Sequence, residues 1–160
     1  MQTRRFTQLP GLALAVLLSL LVGSAAAQPS KLVGTWNVTL RFPVCDAVCT
    51  CPGGVPNIPI PALHLYQKHG ALLEIGSSVF RGPGVGSWDH VGDKQFVARY
   101  KFFLFNPTTL SRTGSEEVTN DIRLTGPDAF EATATFDLFN TAGNMTAQGC
   151  IINETGKRFE

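Results

Sequence analysis

The chain predicts an all-β fold, an eight-stranded antiparallel up-and-down β-barrel, with a β-sandwich as the alternative. Three observations predict it. Apolar residues recur with a period of two, turn sequences rich in Gly, Asn and Pro cut the chain into short segments, and no amphipathic helical stretch interrupts them. Strands that alternate this way have one buried and one wet face, as antiparallel strands do. Closure removes the exposed edges, and hairpin-length links favour it over the long crossovers of a sandwich.

The first element is not part of that fold. MQTRRF, an apolar run from Leu12 to Val22, and Ala25-Ala26-Ala27 before Gln28 read as a secretory signal over residues 1–27. Its apolar run falls short of the ~20 residues a spanning helix needs. No Cys precedes Cys45, so a lipid-bearing thiol at the processing site is not expected. Residues 28–160 then form a single domain, large enough for its own core. That domain carries all twelve acidic and eleven of the thirteen basic residues, a formal charge of −1. Such balance gives no electrostatic footprint for nucleic acid or for an anionic membrane, and neither is expected as a partner. The expected location is secreted or periplasmic.

The first strand, in KLVGTWNVTL, puts Trp36, Val38, Leu40 and Phe42 on one face. Shorter strands follow at Ala62 to Lys68, Ala71 to Ser77 and Gly86 to Val91. The next places Phe96, Ala98, Tyr100, Phe102 and Leu104 on one side; then come Val118, Asn120, Ile122 and Leu124, and Phe130, Ala132, Ala134, Phe136 and Leu138. The last carries Met145, Ala147, Gly149 and Ile151 on its inner side. His69-Gly70, Gly92-Asp93, Asn106-Pro107, Gly126-Pro127-Asp128 and Ala142-Gly143-Asn144 supply the turns. SSVFRGPGVG reads as an irregular lid or bulge; its GPGVG lacks the Lys and following helix of a phosphate-binding loop and reads as a turn.

Cys45, Cys49, Cys51 and Cys150 are an even set in an exported chain, which predicts two disulfides. Cys49 and Cys51 are too close in sequence to bridge without strain, so one bridge within the loop from Pro43 to Pro61 and one long bridge to Cys150 are expected. A zinc site on C-x-x-x-C-x-C lacks the paired knuckles or neighbouring His residues that such sites use, and no metal is expected. Nor does any cofactor signature appear.

Gly34-Thr35-Trp36 on the first strand of such a barrel resembles the calycin group of lipocalins, avidins and fatty-acid-binding proteins. The resemblance implies that Trp36 lies at the closed end, with a basic residue from the end of the barrel packed on its ring. Of Lys157 and Arg158 in TGKRF, Arg158 is the expected partner, as a cation–π contact. The chain lacks the Thr-Asp-Tyr motif of lipocalins and a helix between the last strands. GVGSWDHVGDKQFVARYKFFLF and the ending GC...TGKRF are similar to a group of small exported bacterial proteins with no assigned activity.

With Trp36 inward, alternation lists an apolar interior of Val38, Leu40, Phe96, Phe102, Leu104, Ile122, Phe130 and Phe136, with Ala98, Ala132, Ala134, Ala147 and Gly149 leaving room. This suits a small hydrophobic ligand; Trp36, Val38, Leu40, Tyr100, Phe102, Asn120, Phe130 and Phe136 are the expected lining. Tyr100, Asn120 and Glu116 are the polar exceptions, each facing a ligand or satisfied by a core neighbour. On the second strand either Ala62, His64 and Tyr66 face inward, or Leu63 and Leu65 do; the second register is the one slightly favoured. The first would gather His64, Glu74 and two Tyr for proton transfer on a carbonyl or epoxide, as in small barrel cyclases and isomerases, with Tyr100–Glu116 or His64–Glu74 as the candidate catalytic pairs. Ser77, Ser78 and Ser87 lack a nucleophile elbow, and His90, sharing a face with Trp88, reads as structural. Sequons begin at Asn37, Asn144 and Asn153. A third reading is a homo-oligomer or interaction protein without ligand, because Phe103, Phe105 and Phe139 fall on the nominally wet face.

Overall fold

The computed structural model describes residues 31–50 and 54–159; the signal segment and Cys51 lie outside the described residues. The chain forms β1 (Gly34–Arg41), β2 (Ile60–Tyr66), β3 (Ala71–Gly76), β4 (Gly84–Gly92), β5 (Gln95–Phe105), β6 (Arg112–Leu124), β7 (Ala129–Asn140) and β8 (Met145–Arg158). Each strand pairs antiparallel with the next, and β8 returns to β1, so the sheet is a closed up-and-down barrel. The β1–β8 ladder, with Trp36 opposite Arg158 and Leu40 opposite Glu154, is the contact a sandwich would lack. Among the described residues no helix is long and apolar enough to cross a membrane.

One end is closed by aromatic rings. Trp36 is fully buried, its ring 5.1 Å from Phe130; Tyr66 stands edge-on to Trp88 at 6.1 Å, and Trp88 meets Phe96 at 5.9 Å. The Trp36 indole N–H donates to the Leu32 carbonyl at 2.8 Å, and the Arg158 guanidinium lies 4.4 Å from the Trp36 ring centroid. Arg158 also donates to the carbonyls of Val33 and Lys31 and to the Asp128 carboxylate. Gly34 explains the Gly-x-Trp spacing: its φ of +133° suits glycine, and a Cβ there would collide with Nη1 of Arg158.

Gly156 has the same relation to Phe130, since a Cβ at Gly156 would overlap that ring. Phe130 is wedged under Trp36 and beside Tyr66, so it has little freedom to move. Gly156→Ala is therefore expected to cost roughly 3 kcal/mol, at the upper end of overpacking penalties. Urea denaturation measures this; a loss below about 0.5 kcal/mol, the range of neutral surface changes, would contradict the packing.

At the opposite end the β1–β2 loop is held by Cys49–Cys150, a bridge spanning 101 residues of sequence. Cys45 is also disulfide-bonded, and the described cysteines include no free thiol. The β3–β4 loop is strapped along β5: Gly82 N–H donates to Phe103 O at 2.9 Å and Phe105 N–H to Phe80 O at 2.7 Å.

The structure corrects three sequence expectations. On β2 it is Ala62, His64 and Tyr66 that face inward, while Leu63 is 39% exposed. Pairing with β1 and β3 sets that register, placing His64 between Trp36 and Glu74. On β8 the inner face is Ala147, Cys150, Ile152, Glu154 and Gly156; Met145, Gly149 and Ile151 point outward. A bulge at Gly149 (φ 70°), whose N–H donates to Asp137, shifts the alternation there. Finally, Gly84, Val85 and Gly86 of GPGVG belong to β4 and are no turn.

Candidate functional site

The barrel interior is polar at mid-height. His64, Glu74 and Asn120 are fully buried and Glu154 is 2% exposed, alongside buried Tyr66 and Tyr100. Glycines make the space. A Cβ at Gly84 would meet both the Glu74 carboxylate and the Tyr100 ring, and Gly86 lies opposite Tyr100, where a Cβ would strike the β5 backbone. On the inner wall β7 contributes small Ala132 and Ala134, so that Asn120 on β6 reaches past it to Glu154 on β8, donating from Nδ2 at 2.6 Å.

Arg81 comes from the β3–β4 loop. Its guanidinium lies 3.4 Å from the Phe102 ring centroid and pairs with the Glu74 carboxylate; its side chain is 12% exposed. His64 Nδ1 is 3.1 Å from the Tyr66 hydroxyl, and the His64 ring is 6.0 Å from that of Tyr100. Glu116 lies on the same inner face of β6, half-buried and opposite Phe102.

Burial governs the ionisation of this cluster. It pushes Glu74 up to about 7, against the opposing pull of Arg81 and a hydrogen bond from the Gly84 backbone. Glu154 is also raised to about 7 by burial, with the Asn120 amide opposing; Glu116 reaches about 7 for the same leading cause. His64 falls to about 3 through burial and then through the charge on Arg81, so it is neutral at pH 7. Burial, reinforced by Glu154 and Glu74, raises Tyr66 and Tyr100 well above the usual phenol value. Glu74 and Glu154 are thus buried carboxyls able to hold or release a proton near neutrality, while His64 stays neutral and the two Tyr stay protonated there.

Five atoms of the cluster have no hydrogen-bond partner among the described residues: His64 Nε2, Glu74 Oε1, Arg81 Nε, Asn120 Oδ1 and Glu154 Oε1. Among the described residues, no three His, Cys, Asp or Glu are placed to hold a metal ion. Two hollows, of about 510 and 380 Å3, are open to solvent: the first lies against Asp93, Arg123 and Thr125, the second against Asp121, Glu131 and Asn153, with Ala132 and Glu154 also in its lining. Neither reaches His64, Glu74, Tyr100 or Asn120.

Of the expected catalytic residues, His64, Glu74 and Tyr100 come together in one buried cluster, and Glu116 lies on the same inner face opposite Phe102. Val38, Leu40, Phe102, Asn120 and Phe136 line the barrel with them, whereas Trp36 and Phe130 build the closed floor. His90 is exposed and packs its ring 4.9 Å from that of Phe96. On the outer face Phe103 is 48% exposed, with Phe105 and Phe139 half-buried; Arg112 lies over Phe103 and Lys101 over Phe139.

Alternation could not identify Arg81, which lies on no strand, and when counted from Met145 it puts Glu154 on the wrong face because of the Gly149 bulge. A lone Arg in the apolar-to-Gly run VFRGPG was the available signal for the first, and the period-two series Ile152, Glu154, Gly156 for the second. No protein-family model and no curated protein matches this chain.

Proposed function

We propose that the chain is an exported small-molecule-binding barrel of the calycin type, holding inside it a ligand with an apolar body and a polar group that meets the mid-height cluster. The observation that carries this reading is that five buried polar atoms of one side-chain cluster, on His64, Glu74, Arg81, Asn120 and Glu154, have no hydrogen-bond partner among the described residues. A barrel that serves only as a scaffold satisfies its buried polar groups, since each one left unpaired costs about 1–3 kcal/mol. A ligand supplying hydrogen bonds there would recover that cost, and Val38, Leu40, Phe102 and Phe136 would enclose its apolar part. The disulfides support an oxidising compartment outside the cytoplasm.

The test separates scaffold from site. Replacing Asn120 by Leu together with Glu154 by Met substitutes an apolar pair for a buried polar one, which commonly leaves stability unchanged or raises it. The reading expects the double variant to fold, with an unchanged or higher melting temperature, and to lose the small molecule that the wild-type chain retains. Unchanged retention would overturn it.

One observation favours a second reading, a cyclase or isomerase acting by proton transfer. Neutral His64 lies within hydrogen-bonding distance of the Tyr66 hydroxyl, in a chamber whose carboxyls change charge near pH 7. In that mechanism a carboxylate, Glu74 or Glu154, takes a proton from carbon while Tyr100 or Tyr66 hydrogen-bonds the oxygen that gains charge. The molecule released from the barrel, incubated with the protein in D2O, should then gain deuterium at carbon, more slowly with Tyr100→Phe. No exchange above the protein-free rate would count against catalysis and leave binding in place.

A further inference from the structure

The unpartnered atoms are unequal in kind. Glu74 Oε1, Asn120 Oδ1 and Glu154 Oε1 are oxygens, Arg81 Nε is a single donor, and His64 Nε2 donates or accepts according to the tautomer its Nδ1 contact with Tyr66 selects. Asn120 already donates its amide to Glu154, so what it turns into the chamber is an acceptor. The carboxylates, once ionised, accept only. Glu74, Glu116 and Glu154 surround Arg81, the cation drawn into the cluster, with His64 neutral, so that as the carboxyls ionise above about pH 7 the cluster has more negative than positive groups to offer. The place where Arg81 sits is itself built for a cation: an aromatic face, Phe102, on one side and a carboxylate, Glu74, on the other. That head group is carried by the β3–β4 loop, fastened to β5 by two backbone hydrogen bonds.

We infer that the polar group recognised in this chamber is an organic cation, an ammonium or guanidinium carried on a small apolar body, and that Arg81 holds its seat until the ligand displaces it. This deepens the binding reading and rests on it. The ligand's N–H groups would donate to Glu74, and on a longer reach to Asn120 Oδ1 and Glu154 Oε1, while its charge lies on the Phe102 face. Arg81 is thus a built-in competitor: removing it opens the seat, and removing Glu74 weakens it.

The seat can be tested without knowing the natural ligand, using Arg81→Ala and ethylguanidinium, ethylammonium and neutral ethylurea as probes at equal ionic strength. The cations are expected to raise the melting temperature of the variant, by roughly 3–6 °C at ten times their Kd. They should affect the wild-type chain less, because its own Arg81 competes. Arg81→Met, which keeps an apolar stem on Phe102, serves if the Ala variant does not fold. Selective stabilisation of the variant by the cations supports the inference. Equal stabilisation by ethylurea, or none by either cation, overturns it. Neither outcome touches the binding reading, which the Asn120→Leu, Glu154→Met pair tests by itself.

Discussion

Replacing Cys49 and Cys150 together by Ala is expected to lower stability by about 4–5 kcal/mol, the loop-closure value for a cross-link of roughly 100 residues. The bridge joins the long β1–β2 loop to the inner face of β8, and its 101-residue span covers most of the described barrel. Among the described residues the same loop is also held by the disulfide of Cys45, by Asn57 N–H donating to Phe42 O at 2.8 Å and by Arg41 donating to Asn57 O at 2.8 Å, but none of these ties it to β8. Cys150 is buried, so Ala at that position also leaves a small void. Since small domains are stable by only 5–15 kcal/mol, the loss consumes a large part of the total. Equilibrium urea denaturation of the oxidised wild type and the double variant measures it. A difference under about 1 kcal/mol would mean that the reduced chain is already constrained elsewhere.

The second large effect is a stability that falls as pH rises from 5 to 7.5. Glu74 and Glu154 are raised in the folded barrel from 4.5 to about 7, so between those values the folded state holds protons that the unfolded chain has lost. Stability then decreases with pH, because proton binding favours the folded state. Each such group costs on the order of 3 kcal/mol once pH exceeds its folded value. His64 acts in the opposite sense: with its folded value lowered from 6.5 to about 3, stability is lost as pH falls through that window. Between pH 5 and 7 the carboxyls prevail, since two or three protons favour folding against one on His64 that opposes it. Denaturation at pH 5 and 7.5 is therefore expected to differ by several kcal/mol in favour of pH 5, and Glu154→Gln should flatten the slope. A chain as stable at pH 7.5 as at pH 5 would show that these carboxyls are solvated.

The barrel was legible in the sequence because its signal is local. Phe96 to Leu104 and Phe130 to Leu138 alternate without interruption, and period two is a property of each strand alone. The site was legible where its residues sat on such strands, as Tyr100 and Asn120 do. It was obscured on β2, where Leu63 and Leu65 are as apolar as Ala62 and Tyr66; only the ladders to Trp36 and Glu74 decide which set turns inward. Glu154 was hidden because counting forward from Met145 passes through the Gly149 bulge, which inverts the alternation before Ile152 is reached. Arg81 lies on no strand, and its place depends on a loop folding over a ring, Phe102, far along the chain. The Gly-rich run read as a turn proved to be the cleared wall that admits Tyr100 and the Glu74 carboxyl.

That the chamber receives a small molecule is tested most directly by native mass spectrometry of the wild-type protein purified from a host that exports it, followed by denaturation to identify what is released. One small molecule per chain, carrying an apolar body and a polar group, is the result expected. A chain that arrives empty and takes up nothing from an extract of that host would contradict the account, and would make the buried cluster a costly scaffold with no ligand to satisfy it.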